Sequence, residues 1–233
     1  LQMVEGQIPS GKLTDVVEPW FLGGGKDSDG GKAFAKLVAE WGPKGVRFHA
    51  SVASVPAPAK GTQKVALISG RTADNPRLLK EVIDQAGCTC VYLEKPGAPS
   101  VPELEEMAKY AKSKAVPVYM GYNKNVTQYV TDALAAEKAA GPGASTAFYH
   151  NNAYQKAELP ECFERNAEGM LKNMAVHELA LLVSFYGVRG DNIATIEPDK
   201  KYSSCQTLTG PGKGASFTDF DAIGFTVTTT EGK

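Results

Sequence analysis

No apolar run in this 233-residue chain approaches the length needed to span a bilayer, so membrane insertion by a helix is not expected. An excess of one charge is also missing. The formal net charge is −1, and no bulk field draws nucleic acid or an anionic membrane to the chain; neither is expected as a partner. Cysteine is sparse: of Cys88, Cys90, Cys162 and Cys205 only the first two are close, which reads as reduced thiols in a cytosol-like compartment. The three histidines are scattered, and no Cys/His spacing supplies a ligand set, so no metal site is expected. There is no internal repeat or low-complexity segment, and Leu1–Glu5 shows neither an initiator methionine nor a signal peptide; the chain reads as a processed or partial product.

What is present is an alternation of helical and strand patterns. Phe21-Leu22 lead into the glycine run at 23–25 and the pair Gly30-Gly31. A helix then fits Lys32–Trp41, with Ala33, Phe34, Leu37, Val38 and Trp41 on one face, and Val46–Val55 reads as a strand. Lys64–Ser69 is a short apolar strand. Asn75 serves as N-cap and Pro76 as first residue of a helix striped by Leu78, Leu79, Val82, Ile83 and Ala86, which Gly87 stops. Thr89–Leu93 is the next strand. Ser100 and Glu103 have capping-box spacing before a helix with Leu104, Met107, Ala108 and Ala111 facing inward, and Val116–Tyr122 is again strand-like. This order predicts an α/β domain over 1–125 with a Rossmann-type parallel sheet covered by helices on both faces.

From about residue 126 to 233 the pattern predicts an α+β domain instead. Val126–Ala140 reads as a helix, and Met170–Tyr186 as a long one, apolar almost all round and hence buried. Ala194–Leu208 and Phe217–Thr230 are β-rich. Phe220, Ala222, Gly224, Thr226 and Thr228 alternate with Ile223, Phe225 and Val227, as in an open antiparallel sheet, which an end at Lys233 would leave incomplete.

Three features could carry chemistry, and each has a plain structural reading beside it. Glu94-Lys95-Pro96 follows a strand, at the end where open α/β sheets collect ligands; a lysine there can hydrogen-bond a substrate hydroxyl, or simply sit beside a turn-forming proline. Asn173 and His177 stand four apart on the apolar helix, with Ser184 on the same face. Such a histidine can accept a hydroxyl proton near neutral pH, or be a satisfied core residue. The third feature is glycine-rich. A dinucleotide fingerprint needs Gly-x-Gly-x-x-Gly, so that backbone amides and a helix start hold a pyrophosphate. Here Gly23, Gly25 and Gly30 offer that role, but the last interval is two residues too long, Pro19 precedes it, and Asp27 and Asp29 bring negative charge.

Taken jointly, residues 20–187 resemble the glucose–fructose oxidoreductase/inositol dehydrogenase family. The pieces that carry the resemblance are Glu94-Lys95-Pro96, the Glu-rich helix at Pro102–Glu106, Gly121-Tyr122-Asn123-Lys124-Asn125, and the ungapped run from Glu168 to His177, closed by Tyr186-Gly187. The resemblance implies a Rossmann domain, an α+β domain with an open sheet, and nicotinamide-dependent oxidation or reduction of a sugar, polyol or related small carbonyl compound. It implies Lys95 and His177 as substrate-side acid/base groups and puts Asn173 where the family has a carboxylate. A homo-oligomer, formed through the open sheet, is implied as well.

Departures from the family pattern bear on activity. An amide at Asn173 can orient the His177 ring but supplies no charge to raise its basicity. After the second strand Ser51 and Ser54 replace the acid expected for the adenosine ribose, with Lys60 and Lys64 nearby, which favours NADP over NAD. The stretch before Val65 is too short for a third βα unit. On this basis the cofactor-side residues are Gly23, Gly25, Gly30, Ser54, Gly70, Arg71 and Glu94, and the catalytic ones Lys95, His177 and Asn173. Two functions follow: an NAD(P)-dependent oxidoreductase on a small hydroxy or carbonyl compound, or an inactive relative serving as a structural or regulatory subunit of a larger assembly. The compartment reads as cytoplasm or an organelle interior.

Overall fold

A computed structural model describes residues 10–146, 154–165, 169–212 and 214–232; Leu1–Glu5, Glu168 and Lys233 lie outside the described residues. The chain forms two compact units that divide between Tyr119 and Met120.

In the first unit β1 (Asp15–Val17) pairs in parallel with β2 (Arg47–His49). Between them lie a one-turn helix α1 (Pro19–Leu22) and the longer α2 (Asp29–Trp41). Phe21-Leu22 are therefore helical rather than the end of a strand. The cause is local: the Glu18 carboxylate accepts from the Trp20 and Phe21 amides, and Pro19, whose φ suits a first helical residue, has no N–H to lose. Phe34 holds α2 down by meeting Phe21 at 5.8 Å and Phe48 of β2 edge-on at 5.7 Å. The expected strand at Val46–Val55 pairs only over Arg47–His49. Beyond it, Val52 and Val55 turn inward through a 3-10 turn and join Ala86 and Cys88 in a buried cluster with Val17, Ala66, Leu78 and Val82.

A three-stranded sheet follows in the order β3 (Val65–Ile68), β4 (Cys90–Leu93), β5 (Val118–Met120), with β3 and β4 parallel. Ala66 and Ile68 share a face with their register partners Val91 and Leu93, the face that is buried, whereas Val65 and Leu67 are exposed. Helix α3 (Asn75–Asp84) packs on β3 and on α4 (Val101–Ser113). Its stripe is the one expected: Leu79 is 1% exposed, and Ile83 and Ala86 are buried. Burying a leucine so completely stabilises by about 2 kcal/mol. In α4, Met107 and Ala111 are buried, but Leu104 and Ala108 are not. The Ser100 hydroxyl accepts from the Glu103 amide and donates to the Glu103 carboxylate at 2.6 Å.

A charge cluster ties β1 to β2. The Asp15 carboxylate, 8% exposed, accepts from Arg47 through both oxygens at 3.0 Å, meets His49 Nε2 at 2.8 Å and Lys64 Nζ at 3.3 Å, and takes the Thr14 hydroxyl at 2.8 Å. Burial alone would raise this carboxyl; hydrogen bonds from Arg47, His49 and Thr14 and the Lys64 charge together hold it at about 2.

The second unit contains α5 (Gln128–Ala140), α6 (Leu159–Arg165) and α7 (Val176–Tyr186), the last preceded by a π-helical turn at Leu171–Ala175. Two antiparallel pairs complete it: β6 (Ile193–Pro198) with β9 (Phe225–Thr229), and β7 (Ser204–Thr209) with β8 (Ser216–Ala222). Two expectations need correction. The apolar helix is not buried all round: Ala180 and Leu181 are, but Val183 and Phe185 are exposed. The single alternating strand through 220–228 is broken at Gly224, and its halves join different pairs. Gly224 receives Tyr202, whose Cβ would stand 2.9 Å from a methyl there, and it exchanges two 3.0 Å hydrogen bonds with Ser203. The core of the unit lies under α6, through Leu159, Cys162 and Phe163, beside β7 and β8.

The depressed Asp15 carboxyl has a stability consequence whose sign is definite. Its stabilisation, about 2 kcal/mol, is complete above the unfolded aspartate value near ~3.9 and is lost as pH falls toward the folded value. Urea unfolding at pH 7 will show Asp15→Asn less stable than wild type by about 2–3 kcal/mol, because Arg47 and Lys64 lose their counter-charge. At a pH near 2 the two proteins will converge; a gap that stays constant with pH would contradict the assignment.

Candidate functional site

Parallel pairing brings the carboxyl ends of β3 and β4 side by side, and the Glu94 amide donates to the Ile68 carbonyl at 2.9 Å. Gly70 and Arg71 leave one strand there, and Glu94 and Lys95 leave the other. The Glu94 carboxylate accepts from the Tyr92 phenol and from the Lys95 amide, both at 3.3 Å, so it shapes the turn that carries Lys95. Burial, reinforced by Glu94, raises the Tyr92 phenol, which stays a neutral donor. The Lys95–Pro96 peptide bond is cis. The arrangement presents a lysine and a carboxylate at the mouth of a parallel sheet, where α/β proteins bind ligands.

The glycine segment is folded differently from a phosphate cradle. The Trp20 carbonyl accepts from the Gly23 and Gly25 amides at 3.1 and 2.8 Å, the Gly23 carbonyl from Lys26, and the Gly25 carbonyl from Ser28. Ser28 caps α2 by accepting from the Gly31 amide at 3.0 Å. The indole of Trp20 lies across the turn: a methyl on Gly25 would stand 2.2 Å from its Nε1, and one on Gly24 3.3 Å from its ring. Gly30, inside the first turn of α2, makes the same room for the Phe21 ring. Gly24, Gly25 and Gly30 seat aromatic rings, the Gly23 and Gly25 amides are engaged internally, and Asp29 stands at the start of α2. In this fold those two amides face the Trp20 carbonyl rather than an open phosphate cradle.

Ser54 ends the 3-10 turn that follows β2. Its hydroxyl donates to the Ser51 carbonyl at 2.9 Å and stands 3.3 Å from His49 Nδ1. Lys64, the lysine offered to a 2′-phosphate, is held by Asp15 and donates to the Pro56 carbonyl at 2.7 Å.

In the second unit Asn173 and His177 occupy one helical run, but Asn173 belongs to the π turn, so the regular four-residue stagger between them is altered. The turn is anchored by the Met170 amide on the Asp219 carboxylate at 2.7 Å and the Asn173 amide on the Gly169 carbonyl at 3.1 Å. Tyr122 meets the His177 ring edge-on, centroids 6.4 Å apart, and burial raises its phenol. Lys124 pairs with Glu178, the residue after His177, and the Asn125 amide donates to Ser184 at 2.6 Å. The polar stripe read along the helix is thus matched by a second polar segment, Tyr122–Asn125. Tyr122 and Lys124 carry the resemblance noted above only as part of a motif, and neither they nor Glu178 have a role assigned by it. The available signal was the clustering of Tyr, Asn and Lys directly after a strand.

No protein-family model and no curated protein matches the chain. Solved structures do. The transcriptional regulator Gal80p of Kluyveromyces lactis superposes with a TM-score of 0.63 at 13% identity, covering 98% of this chain and 57% of Gal80p. An NAD-binding oxidoreductase from Klebsiella pneumoniae gives 0.55 at 18%, covering 86% of this chain and 53% of that one. A protein assigned as a myo-inositol dehydrogenase from Sinorhizobium meliloti gives 0.54 at 14%, covering 93% and 64%. The chain has their fold. That fold is the glucose–fructose oxidoreductase/inositol dehydrogenase type, an α/β domain followed by antiparallel strands, and the chain spans less than two thirds of the length of each of these neighbours.

The seating of Trp20 on Gly25 is testable by urea unfolding. Gly25→Ala will displace the indole, and because Trp20 is already 62% exposed the loss of stability will be about 1 kcal/mol. Adding Trp20→Ala will recover most of that loss. Unchanged stability in Gly25→Ala would refute the packing.

Proposed function

We propose that this chain is a nicotinamide-dependent oxidoreductase acting on a sugar, polyol or related small hydroxy or carbonyl compound. The observation that carries the reading is Glu94-Lys95 seated at the carboxyl end of β4, beside Gly70 and Arg71 at the end of β3, in a fold shared with an NAD-binding oxidoreductase. The cofactor would accept or supply hydride. Residues 1–125 would hold it and 126–233 the substrate, with Gly70, Arg71 and Glu94 the nearest groups in the first domain.

In this reading Lys95 donates a hydrogen bond to the substrate hydroxyl oxygen and steadies the negative charge that develops there. His177 takes or returns the hydroxyl proton. Asn173 orients the imidazole by hydrogen bonding but supplies no charge, so proton transfer is slower than with a carboxylate at that position. NADP is favoured over NAD because Ser51 and Ser54, rather than an acidic residue, follow the second strand. Association through the open strands into a homo-oligomer, and a cytoplasmic or organelle-interior location, belong to the same proposal.

A second reading is favoured by the glycine segment. The Gly23 and Gly25 amides are bonded to the Trp20 carbonyl instead of being left for a pyrophosphate, and the similar Gal80p is a transcriptional regulator. The same fold would then act as a regulatory or structural subunit of a larger assembly.

NADH and NADPH titrated separately, followed by nicotinamide fluorescence, separate the two. Binding in the micromolar range, with NADPH the tighter, is the expected result. Turnover in a screen of sugars and polyols will fall roughly 100-fold in Lys95→Met and in His177→Asn while nucleotide affinity changes little. If neither nucleotide binds, the enzymatic reading fails and the regulatory one stands.

A further inference from the structure

We propose that Asn75 is the positioning residue for Lys95, an inference that rests on the enzymatic reading above. An asparagine at a helix start ordinarily turns its side-chain oxygen onto the helix's own amides. Asn75 does not. It is already the first residue of α3, behind Asp74, and its side chain points away from the helix into the sheet mouth. There its Nδ2 donates to the Pro96 carbonyl at 3.2 Å, immediately after Lys95. The residue is 2% exposed, and its Oδ1 is buried with no donor in reach among the described residues.

The surroundings explain how the contact is possible. A methyl on Gly70 would stand 3.0 Å from Leu78 Cδ1 and 4.0 Å from Asn75 Oδ1, so the bare glycine lets the end of β3 settle over the start of α3. Asn75 is thereby fixed under one strand-end loop and bonded to the other. Its amide holds the backbone carbonyl one residue beyond Lys95, while Glu94 holds the Lys95 amide from the opposite side. The turn that aims the lysine is gripped at both ends.

A purely architectural role is poorly served by this residue. A buried amide with an orphaned acceptor destabilises, and an apolar side chain of the same shape would fill the space without that penalty. Polar groups kept at such a disadvantage in a sheet mouth are characteristic of sites that trade stability for geometry. Asn75 touches no reacting atom; it acts through the loop that carries Lys95.

Asn75→Leu is the discriminating variant. With the lysines dimethylated by ¹³C-formaldehyde and the Lys95 signal assigned by its disappearance in Lys95→Arg, the variant will keep or raise its melting temperature. The Lys95 resonance will nonetheless move. Turnover of whichever polyol or sugar the wild type accepts will fall on the order of 100-fold, in kcat rather than KM. If Asn75→Leu does not fold, Asn75→Ala takes its place with the resonance as the deciding readout. A Lys95 signal that stays at its wild-type position in the folded variant overturns the inference. Absence of turnover in the wild type would instead strike the enzymatic reading, with the resonance still deciding whether Asn75 sets the lysine.

Discussion

Parallel pairing of Val65–Ile68 with Cys90–Leu93 obliges both strands to leave the sheet at the same end, and the candidate site in the first unit depends on that constraint. An antiparallel arrangement would have carried Gly70 and Glu94 to opposite ends. The pairing is maintained by burial on one face, where Ile68, Val91 and Leu93 are buried and α3 packs on β3, while Val65 and Leu67 stay exposed. Once the strands are set, the Glu94 amide donates to the Ile68 carbonyl, the Glu94 carboxylate accepts from the Lys95 amide, and the Asn75 side-chain amide donates to the Pro96 carbonyl. The loop that carries the lysine is therefore held by backbone contacts of its neighbours.

The second unit solves a different problem. The polar groups on the apolar α7 are met by polar groups from outside the helix. Asn125 meets Ser184, Lys124 meets Glu178, and Tyr122 stands against the His177 ring. All three partners come from one short segment just after β5. The π turn ahead of His177 has a similar local cause, being held at its start by Asp219 and Gly169. Irregular helix geometry of that kind places a side chain where a regular helix would not.

Glycine shows how one residue type can support opposite readings. Gly23, Gly25 and Gly30 match the composition of a nucleotide loop, yet the rings of Trp20 and Phe21 occupy the space that side chains at Gly25 and Gly30 would need. Gly70 makes no motif at all, but a side chain there would crowd Leu78 of α3. Composition reports that something must come close. Only the fold tells what does.

Much of the architecture was legible in the sequence because it rests on periodicity and local chemistry. The 3.6-residue stripe of Leu79, Ile83 and Ala86, the Ser100 cap, and the short apolar strands at 65–68 and 90–93 all follow from interactions between residues near one another in the chain. Local spacing likewise singled out Glu94-Lys95-Pro96, Asn173 and His177 as candidates, though the π turn at Leu171–Ala175 alters the stagger between the last two. What the tertiary structure decided depends on partners distant in sequence. Asp15 finds Arg47, His49 and Lys64; Asn75 turns from its own helix to Pro96; and the strand through 220–228 divides between β7 and β6. Propensity along the chain carries no information about such meetings, because each is fixed only when separate elements compete for the same buried space.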